Sequence, residues 1–435
     1  MRWLRSNKKH RFSPHPPQAV PLPLKGKANK TVERKNEMDV LTAKKLVIEA
    51  GERLVEKGLI ARTWGNVSCR VDDKTFVITP SGKPYIGLTP DDIVEVAINT
   101  LEWGGNVKPS SEKGIHAEVY KQFPKANFVI HTHQKVASAV SALSSGIDKV
   151  TGEAAKLIGD RIHMGGYGLP GTKKLRKGVT NALKLSSSKA VIMAHHGALC
   201  FGKDSEEAFE VASSLETVSA DYILANAKEK LGLKSNNLDD FCSEIADKLT
   251  KSKKTVEIDK SMLYNSTCNR ESGEIIFTEA DGSEASMDLN SGATDYVLSD
   301  MAQAHRSIYL ACPKFNNIIH NASSEVVAVS RFGKTMKPLL DDFAQICGPT
   351  VKCAKAPEYV AKKIKGKNAV LIKDMGALCC GANEGDAQAV DMIMSKSGLT
   401  LLTSKVFGKA KAINPAEAWL MRIVYTLKYS KQAEK

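Results

Sequence analysis

The chain has 435 residues, of which 42% are hydrophobic, 25% charged and 6% aromatic. That balance belongs to a globular protein of two or three domains and excludes the disordered, collagenous and membrane classes. No run reaches the roughly 18–20 apolar residues that span a bilayer, and the N-terminus lacks the apolar core of a secretory signal, so a soluble cytoplasmic protein is expected. The net charge is +14, but residues 1–37 hold ten Lys/Arg against Glu33 and Glu37 and account for +8 of it. The body's +6 is ordinary, which argues against nucleic-acid binding by the folded part.

Residues 1–37 are basic, dotted with proline and without helical or strand periodicity, and are expected to be a disordered extension. A nucleic-acid or membrane tail, a targeting segment, and an upstream start before Met38 all fit that composition. The nine cysteines include the adjacent Cys379 and Cys380 but no C-x-x-C pair, so free thiols are expected rather than a disulfide framework or a cysteine zinc site.

From Asp39 the apolar spacing predicts a helix that stops at Gly58. Short β-rich runs follow at Val67–Val71, Thr75–Thr79 and Ile93–Val96, then a helix from about Ser111 to Phe123, a strand Phe128–Thr132 and a helix from Gln134. Further on come a helix near Lys173–Leu185, a strand Ala190–Ala194 and a long helix from Ser205 to about Ala227. Strands and helices mixed in this way indicate an α/β or α+β domain.

The second half repeats the first. His116, Tyr120, Pro124 and His131 recur 189 residues on as His305, Tyr309, Pro313 and His320, and the stretch from Ala190 recurs 179 residues on from Ala369. Order and spacing imply two copies of one domain in tandem. The expected domains are residues 38–232 and 259–435, joined by a charged linker over 233–258.

Side chains alternate along a strand, so His131 and His133 leave Phe128–His133 on the same face and can share one ion. His195-His196-Gly197, at the end of the strand Ala190–Ala194, offers a third imidazole. Three histidines with an open fourth position make a catalytic zinc site. Ser110 and Ser111 open the next helix, where amides and hydroxyls suit a phosphate oxygen. Glu112 is either a general base or a favourable charge on the helix dipole. His116 stands one turn on and is kept as His305, while Met301 stands where the second copy would need Glu112, so His116 reads as structural. Thr63-Trp64-Gly65-Asn66-Val67-Ser68 and Thr79-Pro80-Ser81-Gly82 offer amides without bulk, as anion cradles need, though each alone also reads as a turn.

Taken in order, Gly65-Asn66-Val67-Ser68, Thr79-Pro80-Ser81-Gly82, Pro109-Ser110-Ser111-Glu112, His131-Thr132-His133 and His196-Gly197 resemble the class II aldolase/adducin family, and within it the fuculose-1-phosphate aldolases. The resemblance covers about residues 39–230 and, in degenerate form, about 260–430. It implies two tandem three-layer α/β/α domains, each with a central, mainly antiparallel sheet flanked by helices. It also implies one zinc ion per chain in the first domain, held by His131, His133 and His196, with Glu112 as acid/base and no role for His195. Gly65, Asn66, Ser81, Gly82, Ser110 and Ser111 would hold the phosphate of a sugar-phosphate substrate. Cleavage would pass through the enediolate of dihydroxyacetone phosphate, which zinc stabilises as a Lewis acid.

The same scaffold hosts ribulose-phosphate 4-epimerases, which usually carry aspartate where Glu112 stands, a methylthioribulose-phosphate dehydratase with glutamate there, and non-catalytic adducin scaffolds. Fuculose-type aldolases bring a tyrosine from a neighbouring subunit of a four-fold ring, and here that region aligns with Thr151-Gly152-Glu153. Glu153 and Tyr167 are then candidates to substitute as proton donor, though each also reads as structural. In the second copy Met301, Ala322 and Met375 replace Glu112, His133 and His196, so a non-catalytic domain that fills the neighbour's place is expected, in a homo-oligomer whose dimer mimics a tetramer.

Overall fold

A computed structural model describes residues 38–60, 64–251, 264–408 and 410–429. The basic extension over 1–37 and Thr63 lie outside the described residues. In the first repeat the chain runs α1 (Val40–Glu56), β1 (Asn66–Arg70), β2 (Thr75–Ile78), β3 (Val94–Ala97), α2 (Lys113–Gln122), β4 (Phe128–Thr132), α3 (Lys135–Ser141) and α4 (Gly152–Ile158). It continues through β5 (His163–Gly165), α5 (Lys173–Leu185), β6 (Ala190–Met193), β7 (Gly197–Gly202) and α6 (Ser205–Leu231). Asp39 caps α1 by accepting from the Thr42 amide, and Asp204 caps α6, which Gly232 ends in the left-handed conformation.

After α7 (Leu238–Thr250), the second repeat follows the same order: β8 (Tyr264–Asn269), β9 (Glu274–Glu279), β10 (Glu284–Asp288), α8 (Asp300–Ala311), β11 (Asn317–Asn321), α9 (Ser324–Ser330) and α10 (Asp341–Ile346). Then come β12 (Cys353–Ala354), α11 (Val360–Ile364), β13 (Ala369–Ile372), β14 (Gly376–Gly381), α12 (Glu384–Phe407) and α13 (Pro415–Val424).

Each repeat builds a seven-stranded sheet, in the orders β3-β2-β1-β4-β7-β6-β5 and β10-β9-β8-β11-β14-β13-β12. Every pairing is antiparallel except β5 with β6 and β12 with β13. The repeat extends to detail: an isolated bridge Ile147–Ile162 in the first copy recurs as Met336–Val351 in the second. This register makes α10 the counterpart of α4, and Asp341-Asp342 the counterparts of Gly152-Glu153.

Sheet faces alternate between cores. Val129 packs with Ile115 and Val119 of α2 and Val179 of α5, whereas Phe128 and Ile130 pack with Val47 and Leu54 of α1. A further core is common to both repeats and includes Val136 and Val140 of α3, Leu215 of α6, Val326 of α9 and Leu399 and Leu402 of α12. The described residues from Met38 onward therefore form one compact unit. The segment expected to be a charged linker, 233–258, is described as far as Lys251. It holds α7, capped by Asn237, whose Phe241, Cys242, Ile245 and Ala246 are buried in that shared core at helical spacing. Among the described residues no helix is long and apolar enough to cross a membrane.

Candidate active site

Strand β4 delivers His131 from its interior and His133 just past its end, and the β6–β7 turn delivers His196. Gly197 follows because a Cβ there would stand 2.2 Å from the Thr132 carbonyl oxygen. His195 takes φ +60°, which allows the sharp reversal between β6 and β7. Gly65, at φ +78°, lets the chain entering β1 pass over β4, since a Cβ would lie 2.5 Å from the His131 carbonyl.

The three imidazoles have metal-binding nitrogens within 4.8 Å of one another, and all three are buried. Each uses Nδ1 as a donor to a fixed acceptor: His131 to the Ala198 carbonyl at 2.8 Å, His133 to Asp342 at 3.3 Å, and His196 to Asp341. The Nε2 atoms therefore turn inward. Those of His131 and His133 are 3.1 Å apart, and Glu112 lies 3.3 Å from His131 Nε2 and 3.0 Å from His196 Nε2. Glu112 Oε1 and His196 Nε2 are buried without a well-formed hydrogen bond.

Burial pushes His131 down to about 3 and His133 to about 4, so both are neutral. Burial also opposes charge on His196, but the carboxylates of Asp341 and Glu112 outweigh it and hold this imidazole well above its ordinary range. Glu112 is likewise opposed by burial and held well below the usual carboxylate range by His196 and His131. Three converging Nε2 atoms with fixed Nδ1–H groups fit a divalent metal that takes the place of the His196 Nε2 proton, and three imidazoles suit zinc.

Glu112 sits at the start of α2 and accepts from the Asn66 amide at 3.0 Å. Asn66 is in turn fixed by His116, whose Nε2 donates to Asn66 Oδ1 and whose Nδ1 meets the Ser68 hydroxyl at 2.6 Å. The second repeat keeps the far end of this chain, Ser266 on His305 and Tyr309, both at 2.8 Å, but His305 Nε2 has no hydrogen bond. Its metal-site counterparts have become core: Met301 is buried among apolar side chains, Met375 packs against them, and His320 Nε2 donates to the Met375 carbonyl.

A cavity of about 260 Å³ opens over the site. Gly65, Asn66, Ser81, Gly82, Ser110, Ser111, Glu112, His133 and His196 all line it, while His131 lies behind them. The two serine loops meet through a Pro80–Pro109 bridge, with Ser81 N donating to Lys108 O at 2.8 Å and Ser110 N to Thr79 O at 3.1 Å. The rest of the wall is mainly apolar, from Trp64, Leu169 and Pro170 and from Leu420, Met421, Val424 and Tyr425 near the C-terminal end of the second repeat, with Thr172 and Gln345 as its polar members.

The donors expected from sequence are elsewhere. Glu153 is exposed and pairs with Lys156, and Tyr167 stacks edge-on to His195 outside the cavity lining. Sequence reasoning missed Asp341, Asp342, Lys396 and Tyr425. Lys396 was detectable as a lone charge in an apolar helical run, and it bonds Asp342 and the His133 carbonyl.

The sequence profile described as class II aldolase and adducin N-terminal domain matches residues 45–223 and 252–395. The chain belongs to this family, in two copies, and is a class II aldolase, a carbon–carbon lyase. It is 32% identical over 176 residues to the 5-methylthioribulose-1-phosphate/5-deoxyribulose-1-phosphate aldolase of Rhodospirillum rubrum, covering 40% of this chain and 78% of that one. With the L-fuculose phosphate aldolase of Escherichia coli the identity is 34% over 177 residues, 41% of this chain and 80% of that one. A solved L-fuculose 1-phosphate aldolase is 25% identical, with a TM-score of 0.41 over 46% of this chain and 94% of that one.

Proposed function

We propose that the chain is a zinc-dependent cytoplasmic aldolase that cleaves or forms a sugar phosphate through dihydroxyacetone phosphate. Residues 38–232 are the catalytic domain, and 259–435 form a degenerate domain with no catalytic site of its own that lends Tyr425 to the first. The observation that carries the reading is the convergence of three Nε2 atoms beside the Glu112 carboxylate at the floor of a cavity lined by two serine loops. His131, His133 and His196 hold one zinc per chain, which when bound supplies Lewis-acid polarisation of the substrate oxygens.

Gly65, Ser81, Gly82, Ser110 and Ser111 receive the phosphate through amides and hydroxyls. Asn66, named with them from sequence, has both side-chain polar atoms engaged by His116 and Glu112, so its part is to orient the carboxylate. In the condensation direction Glu112 removes a proton from the hydroxylated carbon beside the ketone. That carbon then bonds to the aldehyde carbon, and the aldehyde oxygen takes its proton from Tyr425; cleavage runs the same steps backwards. The apolar wall favours an aldehyde with an apolar end over a polyhydroxylated one.

Elemental analysis of protein purified without chelators, repeated on His133→Ala, tests the reading. It predicts close to one zinc per chain, lost in the variant. Wild-type protein that holds no metal and takes up none from added zinc overturns it.

A further inference from the structure

Two of the three imidazoles are oriented by the other repeat. His196 Nδ1 donates to Asp341 and His133 Nδ1 to Asp342, and both aspartates are completely buried at the start of α10. Lys396 of α12, 2% exposed, bonds Asp342 and also reaches the His133 carbonyl at 3.2 Å, so the carboxylate is paired with a cation of its own. The start of α10 is locked to the site by backbone as well: Asp341 N donates to the His195 carbonyl at 2.9 Å, and His195 Nδ1 donates to the Leu339 carbonyl at 2.8 Å. His195 thus ties the two repeats together beside the site.

The counterpart positions in the first repeat do nothing comparable. Gly152 has no carboxylate, and Glu153 points into solvent against Lys156. Within one fold, the same helix start is plain surface in one copy and a paired carboxylate brace in the other.

Resting on the zinc reading above, we infer that Asp341 and Asp342 of the second repeat are positioning residues for the first repeat's metal. They fix the tautomer and ring orientation of His196 and His133 from outside the ligand set. This gives the degenerate repeat a chemical function: it is the outer shell of a site whose ligands all lie in the other copy. A carboxylate behind a ligating imidazole holds its Nδ1 proton and raises the basicity of Nε2, and losing such a partner typically costs 10–100-fold in metal affinity.

The test is zinc affinity of the full-length protein, measured by competition with a chromophoric chelator, for wild type, Asp341→Ala, Asp342→Ala, Asp341→Asn and Glu153→Ala. Metal stoichiometry and the visible spectrum of the cobalt-substituted protein are recorded alongside. Either alanine variant should bind zinc about 10–100-fold more weakly with an altered cobalt spectrum. Asp341→Asn, which keeps an acceptor oxygen, should lose less than Asp341→Ala, and Glu153→Ala should match wild type. Should the alanine variants not fold, Asp341→Asn and its cobalt spectrum decide the matter.

Unchanged affinity and spectrum in folded Asp341 and Asp342 variants overturn the inference while leaving the zinc site standing. Two metal ions per chain overturn it differently, by making the aspartates ligands of a second ion. Wild-type protein without metal affinity removes the zinc reading itself and this inference with it.

Discussion

His196 and Asp341 lie 145 residues apart in the chain and meet in a buried contact between imidazole Nδ1 and carboxylate. The pair joins the β6–β7 turn of one repeat to a helix start of the other, so the candidate site of the first repeat is packed directly against the second.

Glu112 is proposed to move the proton and not to hold the metal. Glu112→Gln should therefore keep close to one zinc per chain and lose at least ~10²-fold in kcat. Parallel metal analysis and kinetics check this, and unchanged turnover would remove Glu112 from the mechanism.

Tyr425 is the tyrosine on the cavity wall. Tyr425→Phe keeps the ring and loses the proton, so kcat should fall by about 10²-fold or more with little change in KM. Tyr167→Phe, whose ring stacks on His195 outside the lining, should fall far less.

The mirrored histidines separate folding from catalysis. Removing either His116 or His305 leaves a cavity and a buried serine hydroxyl with only its tyrosine partner, Tyr120 or Tyr309, so His116→Ala and His305→Ala should each destabilise by about 2–4 kcal/mol in urea titration. Only His116 holds Asn66 against Glu112, so only His116→Ala should also lower kcat.

Burial, aided by Glu325, pushes Asp391 from 3.8 up to about 6, against a hydrogen bond from Asn321. With the folded value above the unfolded one, the charged carboxylate costs nothing below pH 4, and the cost grows to its full size by about pH 6. Asp391→Asn should therefore raise stability by up to about 2 kcal/mol above pH 6, with the gain vanishing towards pH 4. Urea midpoints across that range check the trend.

How much of this could be read beforehand depends on where each partner lies in the chain. His131 and His133 are two residues apart on a strand, and the period of two already puts them on one face. Helical spacing in α1 and α6 and the internal repeat gave a mixed domain in two copies, and the antiparallel, helix-flanked sheet came with the family resemblance. Asp341 and Asp342 could not be read in the same way, because their partners His196 and His133 belong to the other copy and no local spacing links them. Their one signal is a pair of acids where the first copy has Gly152 and Glu153, in a repeat that has lost the counterparts of Glu112, His133 and His196. Lys396 shows why charge in an apolar run merits notice: burial of an ammonium requires a carboxylate nearby, and that carboxylate is Asp342. The helix α7 was missed although Leu238, Phe241, Cys242, Ile245 and Leu249 stand at helical spacing, because the charges between them give the segment the composition of a linker.

Release of dihydroxyacetone phosphate is the most direct measurement of the central claim. It should be followed with fuculose 1-phosphate and with 5-methylthioribulose 1-phosphate, before chelation, after it, and after zinc is restored. The account predicts release from a ketose 1-phosphate, faster with the apolar-ended substrate, abolished by chelation and recovered with zinc. Release that persists undiminished in metal-free protein, or none from either substrate by zinc-loaded protein, would contradict it.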